Sequence, residues 1–193
     1  MDLVVATKNK KKLKEIKDLL KGLNLKILSL ADFPRAPKII EDGETFAQNA
    51  IKKAATIAMY TGKLTMGEDS GLEVKALKNK PGVYSSRYSE KGATDKKNNS
   101  KLLRELRGVP LKKRIARYKC SVALADKHRL ISVVSGSCQG LIGFRCRGKS
   151  GFGYDPLFII PKYNKTFAQL GLKIKHGMSH RAKAIKKARK VIS

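Results

Sequence analysis

The feature that most constrains this chain is an apolar segment at residues 3–6 that leads directly into a polar, lysine-rich turn at residues 7–12. The segment predicts a buried strand, and apolar residues at positions 13, 16, 19 and 20 share one face of a helix that Gly22 would end. Because the first N–H groups of a helix lack internal partners, such a turn is a natural anion site. Two interpretations fit it: a phosphate-binding cradle, or an ordinary strand–helix unit with a solvated lysine face.

Length and composition predict one globular domain over residues 1–193, with 41% hydrophobic residues. No apolar run approaches the roughly 18 residues that span a membrane, and no secretory leader precedes the first strand, so we expect a cytoplasmic protein. Lys and Arg total 43 against 15 Asp and Glu, which gives a net charge of +28. A chain this basic will bind nucleic acid non-specifically at low salt. Its few aromatic residues do not form the stacking platform of an RNA-binding sheet.

Residue patterns predict an α/β fold with a long mixed, twisted β-sheet flanked by helices. Residues 45–48 form a capping box that should open a helix, and Thr94 or Asp95 should cap another. Alternating residues on either side of a turn at 126–129 predict a long hairpin. Further strands are expected at residues 25–30, 63–66, 72–74, 141–144 and 157–160, and a last helix from near Ser179 to the end.

Acidic residues are scarce, so their positions are informative. Residues 41–42 precede the capped helix, and residues 68–69 fall in an expected turn over 67–71. A strand-end Asp69 suits a hard cation such as Mg²⁺, which usually takes one or two carboxylates together with phosphate oxygens and water. Carboxylates here and phosphates at the N-terminal turn would suit metal-assisted phosphoryl chemistry. The alternative is an Asx-turn that only shapes the loop.

Two further segments are unusual. A glycine-rich loop at residues 148–153 places Phe152 between glycines, where its ring could stack on a planar base or plug the core. Ser179 could cap the last helix and leave His180 and Arg181 as donors at its positive end, although a histidine there is more often a capping or packing residue.

The cysteines and the other histidines suggest no site. Without a CxxC pair, we expect reduced and mostly buried thiols, and no histidine stands at zinc-ligand spacing from them. We expect His128 and His176 in exposed loops. The three cysteines are Cys120, Cys138 and Cys146.

Taken together, these segments resemble the inosine triphosphate pyrophosphatase family, and the match runs nearly end to end. The family's opening A-T-x-N-x-x-K motif matches residues 6–12, and its D-S-G-L element matches residues 69–72. The other matches are an acidic-G-x-T-F-x-x-N-A-x-x-K-A stretch at 42–54, P-G-V-Y-S-x-R-Y at 81–88, G-F-G-Y-D-P-x-F at 151–158 and K-x-x-x-S-H-R at 175–181. Six motifs in the family's order are a specific signal.

The resemblance implies Mg²⁺-dependent hydrolysis of ITP, dITP and XTP to a nucleoside monophosphate and pyrophosphate, in a cleft between two lobes. Asp69 would be the catalytic residue, and Glu41 and Asp69 would hold the metal. Lys12 is the expected phosphate contact in the N-terminal turn, where its lysine neighbours contribute mainly to the positive field. The implied substrate-binding residues are Thr7, Lys8, Asn9, Lys10, Lys11, Lys12, Lys53, Ser70, Phe152, Gly153, Tyr154, Asp155, Lys175, His180 and Arg181.

The implied base selectivity has a physical basis. Lys175, His180 and Arg181 would donate hydrogen bonds to the carbonyl oxygen at C6 of hypoxanthine or xanthine. The amino group at C6 of adenine would leave these donors without an acceptor, and each unpaired buried donor would cost about 1–3 kcal/mol of binding free energy. The family also implies a homodimer and no membrane partner.

Two alternatives remain at this stage. One is a related pyrophosphatase family that acts on pyrimidine or modified nucleotides, although it lacks the F-G-Y-D and S-H-R elements found here. The other is a basic nucleic-acid-binding protein.

Overall fold

The computed structural model describes residues 1–192. Within them, the strands are β1 (Asp2–Val5), β2 (Lys26–Ser29), β3 (Thr65–Val74), β4 (Ile115–Ala125), β5 (Leu130–Ile142), β6 (Phe158–Ile160) and β7 (Lys165–Thr166). The α-helices are α1 (Lys10–Leu20), α2 (Phe46–Thr61), α3 (Asp95–Glu105), α4 (Phe167–Met178) and α5 (His180–Ile192). No helix in the described part is long and apolar enough to cross a membrane.

The strands form one mixed sheet in the order β2-β1-β3-β4-β5-β6-β7. β1 pairs in parallel with β2 and β3, whereas β6 pairs antiparallel with β5 and β7. The predicted α/β class, with a long mixed sheet and flanking helices, is therefore confirmed.

The chain divides into two compact units, each with its own core. The first comprises Met1–Asp69, Cys120–Gly136 and α5, and its core joins α1 and α5 to apolar strand residues such as Val5 and Val122. The second comprises Ser70–Lys119 and Ser137–Ser179. Its core contains an aromatic cluster in which the ring centroids of Tyr118 and Phe158 are 4.6 Å apart and those of Phe158 and Phe167 are 5.3 Å apart.

Local sequence signals placed several helix starts correctly. Thr45 and Gln48 form the predicted reciprocal capping box at the start of α2, and Thr94, rather than Asp95, caps α3. The starts of α2 and α3 were predictable because a capping side chain satisfies N–H groups only a few residues away. The cap of α1 by the Asn9 side chain was not predicted.

The expected turn at residues 67–71 is wrong, because β3 continues through it. Gly67 does not bend the chain. A Cβ at Gly67 would lie 2.1 Å from the Ala50 carbonyl oxygen and 2.6 Å from the Ala54 nitrogen, so glycine here allows α2 to pack onto the strand. Glu68 and Asp69 are consequently buried strand residues, and Asp69 does not form an Asx-turn.

Other expectations also need correction. The separate strand at residues 141–144 is the end of β5, and Phe144 lies outside it. Helix α4 was not anticipated, although Thr166 and Gln169 form a second capping box at its start. His176 lies in α4 and is partly buried, instead of lying in an exposed loop.

Candidate active site

The N-terminal turn is largely satisfied by its own side chains. Asn9 Oδ1 accepts the N–H groups of Lys11 and Lys12 at 3.0 and 3.1 Å, and Thr7 Oγ1 accepts the N–H of Asn9 at 3.2 Å. The first N–H groups of α1 are therefore not all open to a ligand. Lys12 Nζ lies 3.0 Å from Glu68 Oε2, so the turn places an ammonium group next to the buried Glu68 on β3.

Two carboxylates of the first unit converge on one cation. Lys53, on α2, places its Nζ 2.9 Å from Glu41 Oε2 and 2.9 Å from Asp69 Oδ1, and it also donates to the Glu68 carbonyl at 3.2 Å. Lys53 and Asp69 are buried, whereas Glu41 is exposed. The sequence therefore brings the predicted metal ligands and the predicted phosphate-binding lysine to the same point.

Asn49 fixes the loop that carries Glu41. Its Oδ1 accepts the N–H of Gly43 at 2.8 Å, and its Nδ2 donates to the Gly43 carbonyl at 3.4 Å and to Asp69 Oδ2 at 3.3 Å. A Cβ on Gly43 would lie 2.8 Å from Asn49 Oδ1, so only glycine fits this clamp. One buried amide thus couples the loop before α2 to the carboxylate on β3.

Burial and neighbouring charges set the ionisation of this pair. Burial raises the pKa of Asp69 above its ordinary value, and the cations of Lys53 and Lys12 only partly offset that rise. For Lys53, burial acts to lower the pKa, but Asp69 and Glu41 outweigh it and the net pKa is raised. Asp69 is therefore a carboxylate whose proton affinity has been increased, as a general base requires.

Arg181 forms a buried ionic network behind this pair. Its guanidinium donates to Glu68 Oε1 at 3.1 and 3.2 Å and to Glu15 Oε2 through a short contact, and only 1% of the residue is exposed. Cys120 Sγ donates to the same Glu68 oxygen at 3.3 Å. Despite its burial, Arg181 has a pKa well above the ordinary value because two carboxylates face it. Burial, with Glu68 adding to it, raises the pKa of the Cys120 thiol.

The second unit holds a separate group of predicted residues around Asp155. Lys175 Nζ donates to Asp155 Oδ2 at 2.6 Å, and the Phe152 N–H donates to the same oxygen at 2.9 Å. The Lys175 ammonium also lies 4.7 Å from the Phe152 ring centroid. Gly151, with φ +81°, makes room for this arrangement, since a Cβ there would lie 2.1 Å from Asp155 Oδ2. The group presents a cation beside an aromatic ring.

Helix α3 holds the glycine that follows Phe152. Gly153 donates its N–H to Asp95 Oδ2 at 2.9 Å, and its carbonyl accepts from Asn99 Nδ2 at 2.8 Å. Tyr154, the next residue, donates its hydroxyl to the Ser85 carbonyl at 2.9 Å. Two consecutive residues of the loop, Gly153 and Tyr154, are therefore held in place.

The predicted site residues fall into two sets, one in each unit. The first unit contains residues 7–12, Glu41, Lys53, Asp69, His180 and Arg181. The second contains Ser70, residues 152–155 and Lys175. No site role was predicted for Asn49 or Asn99, and Asp95 was expected only as a possible cap of α3. Asn49 lies within the family motif at residues 42–54, and that motif was the signal that could have identified it. Asp95 and Asn99 contact Gly153 across more than fifty residues, so no local sequence pattern could indicate their role.

The donor set near Asp69 fits a small divalent cation. No group of three or more His, Cys, Asp or Glu side chains suited to a metal occurs in residues 1–192. Mg²⁺ does not need one, because it usually takes one or two carboxylates and fills its other positions with phosphate oxygens and water. Glu41 and Asp69 already share one cation, the Lys53 ammonium. These two carboxylates, which already converge on one positive charge, are the number that a protein-bound Mg²⁺ usually takes.

An α/β fold with paired carboxylates beside a buried lysine suits the class of proteins that act on a phosphate ester or anhydride. A profile of the Ham1 family matches residues 3–191, and the chain belongs to this family. The dITP/XTP pyrophosphatase of Desulforamulus reducens is 48% identical over 193 residues, which cover 100% of this chain and 96% of that protein. The dITP/XTP pyrophosphatase of Geobacter sulfurreducens is 49% identical over 183 residues, covering 95% and 92%. These relatives confirm the family resemblance.

Solved structures agree with the fold. The Ham1 protein of Coxiella burnetii superposes with a TM-score of 0.90 at 37% identity, covering 100% of this chain and 98% of that one. A structure from Mycobacterium abscessus, titled nucleoside-triphosphatase / dITP/XTP pyrophosphatase, has a TM-score of 0.78 at 34% identity and covers 97% of each chain.

Proposed function

We propose that this chain hydrolyses the non-canonical purine nucleotides ITP, dITP and XTP to the nucleoside monophosphate and pyrophosphate, and so removes them from the nucleotide pool. The structural observation that carries the proposal is the buried Lys53 ammonium, held 2.9 Å from both Glu41 and Asp69. Relatives at 48 and 49% identity that are named dITP/XTP pyrophosphatases support the same activity and substrates.

Glu41 and Asp69 would hold Mg²⁺. When bound, Mg²⁺ would neutralise charge on the phosphate oxygens and so stabilise the charge that develops on the leaving group. Lys53 would contact the phosphates, together with Lys12 and the other residues of the N-terminal turn, Thr7, Lys8, Asn9, Lys10 and Lys11. Ser70 would contact the substrate next to Asp69.

Asp69 would orient the attacking water and take its proton. Its raised pKa makes the carboxylate a better proton acceptor than an ordinary surface aspartate. The water oxygen would bond to the α-phosphorus while the bond from that phosphorus to the oxygen bridging to the β-phosphate breaks. The oxygen leaves with pyrophosphate, and the water oxygen stays on the monophosphate.

The base-binding set would comprise Phe152, Gly153, Tyr154, Asp155, Lys175, His180 and Arg181. Phe152 would stack on the purine, and Lys175 would donate toward the C6 carbonyl while Asp155 holds it in place. The guanidinium of Arg181 is held by two carboxylates, so its part would be to fix the first turn of α5, which carries His180. An amino group at C6 would meet donors with no acceptor.

We further propose that residues 1–193 form one pyrophosphatase domain and that the enzyme is a cytoplasmic homodimer. The family resemblance supports both the single domain and the dimer. Sedimentation equilibrium would test the dimer, since a monomer at micromolar concentration would contradict it.

The products test the reaction type. We expect ITP in heavy-oxygen water to yield IMP and pyrophosphate, with the heavy oxygen in IMP, and EDTA to stop the reaction until Mg²⁺ is restored. IDP with inorganic phosphate would contradict attack at the α-phosphorus. Heavy oxygen in pyrophosphate would place the attack at the β-phosphorus instead.

A further inference from the structure

A basic cavity in the second unit has no part in the proposed reaction. Its volume is about 690 Å³, which lies within the usual range for small-molecule sites. It is lined by Ser100, Leu103, Arg104, Arg107, Gly108, Val109, Pro110, Arg114 and Phe144. Three of these side chains are cationic and none is acidic. The cavity therefore has the charge of an anion site.

Phe144 forms an aromatic platform at this cavity. The residue is 61% exposed, and the Arg114 guanidinium lies 4.2 Å from its ring centroid. Arg114 is only 4% exposed and donates to the carbonyls of Leu106, Val109 and Gly143 at 2.8–3.0 Å. The guanidinium beneath the ring is thus rigidly held, and the ring remains accessible to solvent.

The other two arginines supply exposed positive charge at the cavity. Arg104 and Arg107 are exposed, and neither guanidinium makes a hydrogen bond or ion pair in the part of the chain that the structure describes. The nearest acid along the chain, Glu105, accepts the hydroxyl of Tyr88. An exposed aromatic ring beside unpaired arginines is the combination that binds a nucleobase and its phosphate together.

We propose that this cavity, which we call the Arg114 pocket, is a second nucleotide-binding site. It takes a base on the exposed face of Phe144 and a phosphate on Arg104 and Arg107. The ligand is either a free nucleoside monophosphate or one nucleotide of a single strand, because both present the same base and phosphate. A second copy of this chain fits less well, since a twofold contact would bring the arginines of both copies together.

The probe is a short, fluorescently labelled single-stranded oligodeoxyadenylate, measured by anisotropy in EDTA with the full chain. Phe144→Ala should weaken binding about tenfold, as expected for the loss of one base stack. Tyr163→Ala is the matched control, because Tyr163 is 39% exposed and pairs with Lys162 at 5.8 Å outside the cavity. It should change affinity less than about twofold.

A salt titration separates the pocket from bulk charge. Arg104→Gln with Arg107→Gln should reduce the slope of log affinity against log salt by about 0.7, since the two arginines share one phosphate and each neutralised single-strand phosphate contributes about 0.7. Lys162→Gln with Lys165→Gln removes the same charge from exposed positions outside the cavity and should leave the slope unchanged. Equal losses in the pocket and control variants would overturn the proposal, because general basicity would then explain the binding.

Competition identifies the source of the nucleotide. Displacement of the labelled strand by millimolar AMP supports a free nucleotide, whereas displacement only by unlabelled strand supports nucleic acid. If Phe144→Ala instead alters self-association by sedimentation and leaves strand binding intact, the surface contacts a second copy and the proposal is wrong. The pocket variants should retain ITP hydrolysis and thermal stability, so this test stands whether or not the proposed function does.

Discussion

Lys53 Nζ lies 2.9 Å from Asp69 Oδ1 in a buried ion pair, while its neighbour Lys52 lies 2.6 Å from Asp42 in an exposed one. The two pairs have the same chemistry and adjacent lysines on α2. They differ in burial, and burial determines how strongly each charge interacts with its surroundings. The exposed pair is therefore a built-in control for the buried one.

Asp69→Asn should reduce kcat for ITP by about 10²–10⁴-fold, because the amide neither accepts a proton nor binds a cation as strongly. Asp42→Asn should change kcat less than about twofold, since its carboxylate faces solvent. Pyrophosphate release measures both, and circular dichroism shows whether each variant is folded. Similar losses in the two variants would contradict the assignment of Asp69.

Asn49→Ala should raise the Mg²⁺ concentration needed for half-maximal activity, because it releases the Gly43 loop that carries Glu41. We expect an unfolding free energy lower by about 1–3 kcal/mol, since buried backbone groups lose their partner. The control is Asn98→Ala, which removes comparable buried bonds to Ser85 and Ser86. It should lower stability without shifting the Mg²⁺ dependence; an equal shift would rule out a specific role for Asn49.

Arg181→Met should lower the free energy of unfolding by about 3–5 kcal/mol, because it removes the guanidinium that the buried carboxylates of Glu15 and Glu68 share, although the Lys12 ammonium still faces Glu68. Arg189→Met, on the same helix, removes hydrogen bonds to the carbonyls of Leu19 and Lys21 and should cost less, since these acceptors are neutral. Urea unfolding measures both changes. A loss at Arg181 no greater than at Arg189 would show that the network adds little stability.

Thiol labelling tests the burial of the cysteines. Cys120 and Cys138 are buried and Cys146 is exposed, so native protein should react at one thiol and unfolded protein at three. Partial burial raises the pKa of the Cys146 thiol. Less of it is thiolate at a given pH below that value, so its native reaction should be slower than after unfolding. Rapid native labelling of two or more thiols would contradict the packing around Cys120.

The predictable parts of this molecule were those encoded locally. The Thr45–Gln48 capping box and the α1 face can be recognised from residues three or four apart, and they were predicted correctly. The path of β3 could not be predicted from local sequence. Gly67 indicates a turn there, and only the close approach of α2 in the folded structure explains why a glycine stands within the strand. Likewise, the bond from Arg181 to Glu68 spans 113 positions, and no sequence periodicity indicates it.

The site residues divide in the same way. Motif matches identified Lys53 and Asp69, and the structure brings them together. The α3 residues that hold Gly153 were missed because polar residues in the first turns of a helix usually serve the helix itself. Their function is visible only once the loop after β5 has folded against them.

The central claim is selectivity for non-canonical purines, and the most direct test is kcat/KM for pyrophosphate release from five substrates under one Mg²⁺ concentration. We predict that ITP, dITP and XTP exceed ATP and GTP by at least about tenfold, which corresponds to about 1.4 kcal/mol of discrimination at the base. Equal kcat/KM for all five substrates, or a preference for ATP or GTP, would contradict it.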